Sequence, residues 1–273
     1  MNPRPRPAFP VRLDRPSDAP ARFARAVAPA AARTGAGPAP AGGGQPRPQA
    51  ASLTPQGLGL DSQAVRLAMV QKLAAQGIQD ARVLQAMGRV ERHRFVDTAL
   101  ATQAYEDTSL PIGLGQTISK PNVVARMVEL LLAGRTEPMG RVLEIGTGCG
   151  YQAAVLSLLV KEVYSIERLR GLHEKARENL RLLRLPNVHL LFGDGMAGFA
   201  QGAPYAGIIA AAGGEAVPPA WIEQLAVGGR LVAPVARAAG AAQALLVLDK
   251  TASGVQHTLL EAVHFVPLKS GIA

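Results

Sequence analysis

The chain has 273 residues, enough for one large domain or two small ones, and its 48% hydrophobic content is ample for a core. No apolar run is long enough to span a membrane, and a single cysteine excludes an internal disulfide framework, which suits a reducing compartment. The net charge of +9 points to nucleic acid or acidic surfaces only until it is located: residues 1–52 carry eight Arg and two Asp, or +6, which leaves +3 for the rest.

That N-terminal stretch is rich in Pro, Ala, Gly and Arg and holds too few large apolar side chains to bury a core. It reads as a disordered extension over 1–58, followed by one folded unit over 59–273. A solvated extension is the preferred reading; an Arg-rich targeting peptide or a weak nucleic-acid tether are the alternatives. From Asp61 the pattern is helical, with Val65, Met69 and Leu73 at four-residue spacing and Gly77 as a stop. Asp80 reads as the N-cap of a short helix carrying Val83, Leu84 and Met87. A polar loop, LPIGLGQTISKP at 110–121, precedes a helix whose face is Val124, Met127, Val128, Leu131 and Leu132.

From 141 onward strands and helices alternate. RVLEI (141–145), EVYSIE (162–167), VHLLF (188–192), YAGIIAAA (205–212) and GGRLVAPV (228–235) read as strands. Helices are expected through Leu159, over 171–185 with Leu172, Ala176, Leu180 and Leu183 inward, and over 218–225, where Trp221 faces the core. ALLVLD (244–249) and EAVHFVPL (261–268) have no helix between them and are expected to pair antiparallel. This order implies an α/β fold: a doubly wound, mostly parallel sheet covered on both faces. Residues 59–135 supply added N-terminal helices and the polar loop, and 136–273 the sheet.

In such a sheet a ligand sits beyond the carboxyl ends of the strands. Gly146, Gly148 and Gly150 permit the tight turn after the first strand. Position 151 is Tyr, so the third glycine comes one residue too early for the dinucleotide pattern. Glu144 just before the turn is expected to put a negative charge near any phosphate, which favours a cationic or zwitterionic ligand. The second strand ends in Glu167, 19 residues past Gly148, where a carboxylate can accept both ribose hydroxyls. The third ends in Gly193-Asp194-Gly195, where Asp194 can accept from an adenine amino group. These acids describe an adenosyl ligand without phosphates, and S-adenosyl-L-methionine is the candidate. His93, His173, His189, His257 and His264 show no metal-ligand spacing, and no metal site is expected.

Several segments together resemble the protein-L-isoaspartate O-methyltransferases: RFVD (94–97), LPIGLGQTIS (110–119), VLEIGTGCGYQAAVL (142–156), VYSIER (163–168), GDG (193–195), VPPAWIEQL (217–225), GGRLVAPV (228–235) and VHFVPL (263–268). The resemblance implies a seven-stranded, Rossmann-like methyltransferase sheet with a modified C-terminal strand order. It implies S-adenosyl-L-methionine as cofactor and damaged, isoaspartyl-containing proteins as substrates; a cytoplasmic location, a monomer, and neither membrane nor nucleic acid as partner are separate expectations. It puts Ser119 at the active-site position, with Gln116, Thr117 and Ile118 positioning substrate. Glu144, Gly146, Thr147, Gly148, Gly150, Glu167, Asp194 and Gly195 match cofactor positions. Ser119 has a plainer alternative, as N-cap of the helix that Pro121 begins.

The chemistry suits these residue types. An isoaspartyl residue exposes an α-carboxylate whose pKa is about 3.3–3.7, so it is already ionised and needs no general base. Attack neutralises charge on both reactants, so a contacting cation would over-stabilise the ground state. Hydroxyls and backbone N–H groups orient the anion without trapping it. Four positions depart from the family pattern: Lys120 for Gln, Cys149 for Ser, Ala206 for Asp and Ala211 for Thr. The two alanines are expected to remove hydrogen-bonding groups near the substrate. A paralogue with another acceptor, a nicotinamide-dependent dehydrogenase and a non-catalytic cofactor-binding module remain as alternative readings.

Overall fold

A computed structural model describes residues 63–236 and 242–273; the extension over 1–58 lies outside the described residues. Two N-terminal helices, α1 (Gln63–Ala75) and α2 (Ala81–Arg89), come first. Asp80 caps α2, its carboxylate accepting from the amides of Arg82 and Val83. The segment read as a polar loop is instead a hairpin, β1 (Leu110–Gly113) antiparallel to β2 (Gln116–Ile118), which leads into α3 (Pro121–Leu132).

The main sheet then forms from β3 (Met139–Ile145), β4 (Val160–Glu167), β5 (Val188–Phe192), β6 (Tyr205–Ala210), β7 (Leu225–Ala236), β8 (Gln243–Thr251) and β9 (Gly254–Val263). Its order is β5-β4-β3-β6-β7-β8-β9, parallel from β5 to β7 and antiparallel across β7/β8 and β8/β9. Strand order reverses between β3 and β6, which opens a crevice at their carboxyl ends. Helices α4 (Tyr151–Ser157) and α5 (Arg170–Arg181) follow β3 and β4, and α6 (Pro219–Gln224) precedes β7.

Period-two side chains divide between two cores, as a sheet covered on both faces requires. Val142, Val163, Ile209, Val232 and Val247 face one core with α1–α5, while Leu143, Ile166, Ile208, Leu231 and Leu248 face the other with Trp221 of α6. Trp221 is buried and donates its indole N–H to the Gly195 carbonyl, 2.8 Å away. Helix α4 stops at Ser157 and α5 at Arg181, short of the expected Leu159 and 185.

The last strand is the main correction. It spans Gly254–Val263 rather than 261–268, because the β8 partner register runs from Gly254 upward. Its outward face is polar and exposed, so it shows little hydrophobic alternation. The following residues leave the edge and cross to Gly213: the Gly213 amide donates to Val266 O at 2.9 Å and the Leu268 amide to Gly213 O at 2.8 Å.

Candidate active site

The hairpin roofs the crevice. Leu114 and Gly115 at its tip have φ of +52° and +68°, the left-handed pair that a tight type I′ turn requires. Leucine is a costly choice there, and its side chain is put to use: it lines the crevice and reaches over Gly171, where an added Cβ would sit 3.2 Å from Leu114 Cδ1. Lys175 of α5 ties the roof down by donating to Ile112 O at 2.9 Å.

The glycine turn forms the floor. Gly146, Gly148 and Gly150 have φ of +89°, +56° and +91°, so each needs glycine's freedom. A Cβ on Gly146 would meet Ala211 first, at an ordinary contact distance of 3.6 Å. Glu167, at the carboxyl end of β4, is 5% exposed and accepts from Gly148 N at 2.8 Å and Leu169 N at 2.9 Å. An ionised carboxylate has roughly four acceptor positions, so Glu167 can still accept two hydroxyls. Roof and floor enclose a cavity of about 460 Å³, within the size range of small-molecule sites.

Beneath the floor lies a buried polar cluster. The Ser165 hydroxyl donates to Glu144 Oε2 and pairs with Thr147 Oγ1 at 2.6 Å. Burial pushes the Glu144 carboxyl up to about 8, so it is held neutral, against the expectation of a charge facing the ligand. Cys149 borders the cavity, and burial pushes its thiol up to about 11, which keeps it protonated and unreactive.

A second cavity, of about 310 Å³, is lined by Ser109, Lys120, Val123 and residues 262–266. Thr117, Ser119, Ala211 and Val266 line both cavities and form the wall between them. The N-cap of α3 is Lys120, with no side-chain cap bond, so Ser119 is not the helix cap. That task falls to Asp107, whose carboxylate accepts from Asn122 N at 2.9 Å. The Ser119 carbonyl is held from behind by Arg92 Nη2, 2.7 Å away.

The family model described as protein-L-isoaspartate(D-aspartate) O-methyltransferase matches residues 64–273, which take in every element above except the first residue of α1. The chain belongs to this methyltransferase family. Its similarity to the protein-L-isoaspartate O-methyltransferase of Methylibium petroleiphilum is 57% identity, covering 98% of this chain and 97% of the relative. The Leptothrix cholodnii protein of the same name is 59% identical over 79% of this chain and 77% of its own. A solved protein-L-isoaspartate O-methyltransferase structure superposes with a TM-score of 0.69 at 29% identity, covering 76% of this chain and 67% of that one. A Plasmodium falciparum structure, at 24% identity and a TM-score of 0.63 over 74% of this chain and 97% of its own, shares the fold.

Gln116, Thr117, Ile118 and Ser119, read as substrate-positioning or catalytic in this methyltransferase family, all border the first cavity. Gly146, Thr147, Gly148, Glu167 and Gly195 border it as well. Three expected cofactor positions do not. Glu144 lies under the turn, in the buried cluster. Gly150 faces α5, where an added Cβ would sit 3.0 Å from Leu180 Cδ1, so its smallness serves helix packing. Asp194 is set back from the cavity, capping the short 3-10 turn after β5: Oδ1 accepts from Met196 N and Oδ2 from Gly271 N, at 2.9 and 2.7 Å. Ala206 is also displaced from expectation. It lies near the start of β6 beside Gly140, at the opposite end of the strand from the cavity. Ala211, by contrast, stands on the shared wall.

Sequence reasoning missed the remaining walls: Arg168, Leu169 and Leu172 on one side and Val266 to Lys269 on the other. It also missed Gln152, which is buried, borders the cavity and stands beside the Glu144 carboxyl. Arg168 and Leu169 directly follow the end of β4 and Val266 to Leu268 lie within VHFVPL, whereas nothing of that kind marks Leu172 or Lys269.

Proposed function

We propose that this protein transfers a methyl group from S-adenosyl-L-methionine to the α-carboxylate of L-isoaspartyl residues in damaged proteins, acting in the cytoplasm as a monomer. The observation that carries the proposal is the shared wall: two cavities meet at Thr117 and Ser119, which supports a cofactor in the first and a peptide carboxylate in the second. The first cavity fits the cofactor because its glycine floor leaves room for close approach, Glu167 has free acceptor capacity, and the neutral Glu144 leaves no buried charge beneath the turn. When bound, the cofactor supplies a methyl group already activated on a sulfonium sulfur.

The protein's task is placement. Glu167, Gly146 and Gly148 would hold the adenosyl ligand, and the hairpin would cover it and exclude water. Thr117 and Ser119 would orient the carboxylate, which is ionised without help because its pKa is about 3.3–3.7. Well-oriented reactants can account for roughly 7–11 kcal/mol of barrier lowering. No proton needs to move at Ser119, whose hydroxyl donates to the anion. No helix among the described residues is long and apolar enough to cross a membrane.

The test is methyl transfer to a matched peptide pair, one with isoaspartate and one with normal aspartate. Base-labile methyl ester on the isoaspartyl peptide alone supports the proposal. Cofactor binding without transfer to either peptide would sink it and leave a paralogue with another acceptor.

A further inference from the structure

Arg92 has 0% exposure, yet no carboxylate among the described residues lies within ion-pairing distance of it. It donates to three main-chain carbonyls, Nε to Ala104 O at 2.8 Å and Nη2 to Thr108 O at 3.4 Å and Ser119 O at 2.7 Å, and also interacts with the Tyr151 hydroxyl. Nη1 makes no hydrogen bond, and the guanidinium lies over the Tyr151 ring, its carbon 4.8 Å from the centroid. Asp107, the acid whose field reaches it, is engaged with Asn122 N and the Gln76 amide. Buried charges in folded proteins are normally paired, since an unpaired ion is costly. A buried guanidinium with no carboxylate in direct contact leaves part of its field for an incoming anion.

Its location suggests which one. Ser119, Tyr151 and Cys149 all line the first cavity, and Ser119 lines the second too, while Arg92 borders neither. The guanidinium thus stands one residue behind the wall where the two cavities meet. We propose that Arg92 is the charge-selecting residue of the substrate site, a positioning residue that favours an anionic isoaspartyl carboxylate over its neutral isostere through the Ser119 main chain and the Tyr151 ring. This inference rests on the function proposed above. A guanidinium in contact with the carboxylate would stabilise the reactant anion and oppose a step that discharges it. Set behind the wall, the charge attracts the anion through a low-dielectric layer that salt barely screens, without gripping the attacking oxygen.

The competing role is mechanical: Arg92 pins three loops and nothing more. The two are separated by binding of an isoaspartyl peptide and of the same peptide with an α-carboxamide, to the full chain saturated with S-adenosylhomocysteine. Wild type is expected to prefer the acid at least tenfold. Arg92→Met should cut that preference at least fivefold, and Arg92→Lys should retain most of it, with S-adenosylhomocysteine affinity changing less than twofold. Equal weakening of both peptides, with the preference intact, would overturn the inference and leave the mechanical role. Should Arg92→Met not fold, Arg92→Gln takes its place, keeping amide donors for the three carbonyls without the charge: a preference for the acid as large as wild type's overturns the inference. Turnover of the isoaspartyl peptide by wild type, measured in parallel, keeps failure of this inference distinct from failure of the function itself.

Discussion

Ser119 borders two cavities while its own carbonyl is fixed from behind, so its hydroxyl can be present without being mobile. A hydrogen bond to a charged group contributes about 1.5–3 kcal/mol. Ser119→Ala should therefore lower kcat/KM for an isoaspartyl peptide by roughly 10- to 150-fold, with cofactor affinity by calorimetry unchanged. Glu144 makes a different prediction. Burial raises its carboxyl from 4.5 to about 8, so between those values the folded protein keeps a proton that the unfolded chain releases. The stabilisation is complete below about pH 4.5 and is lost as pH rises through about 8, at about 1.4 kcal/mol per pH unit. Glu144→Gln copies the neutral form. Its Tm relative to wild type should climb as pH is raised from 5 to 8, and a gap independent of pH would show that Glu144 is ionised in the fold.

At the scale of elements, the segment after β9 behaves as a strap. The Gly271 amide donates to Asp194, Arg168 Nε donates to Gly271 O at 2.8 Å, and Arg170 N donates to Ala273 O at 2.8 Å, while Val266 to Lys269 line the cofactor cavity. Removing residues 269–273 should weaken S-adenosylhomocysteine binding several-fold, chiefly through faster release in stopped-flow measurements, and leave the circular dichroism spectrum unchanged. The cap on α3 is supplied by a residue distant in sequence, and Asp107→Ala should cost about 1 kcal/mol, read as a lower Tm. The parallel strands and their helices were legible because strands covered on both faces are nearly continuous apolar runs, as GIIA is throughout and VLEI is apart from Glu144. The hairpin was not, because strands of four and three residues, though Leu110 and Ile112 alternate inward, are too short to show a period beside a glycine-rich tip. Strand β9 was misplaced for the same reason: its exposed face erases the alternation, while the neighbouring VHFVPL alternates without being the strand.

For the whole molecule, the excess positive charge belongs to residues 1–52 and the chemistry to the sheet. A fragment over 59–273 is expected to keep wild-type kcat/KM within about twofold. A larger loss, or salt-sensitive nucleic-acid affinity that vanishes with the extension, would give the tail a role in function. By itself the sequence determined the α/β class, the glycine turn, the acid at the end of β4 and the hydroxyl loop. Each is a local pattern: apolar runs of strand length, glycines where φ is positive, polar residues bunched between elements. Only the tertiary structure decided which acid lines the cavity. Glu144 and Glu167 are both at strand ends in sequence, but one is buried neutral beneath the turn and the other accepts from it at the cavity rim. It also brought Arg92 behind Ser119, 27 residues away in the chain, because burial and hydrogen bonding act through space and leave no trace in spacing.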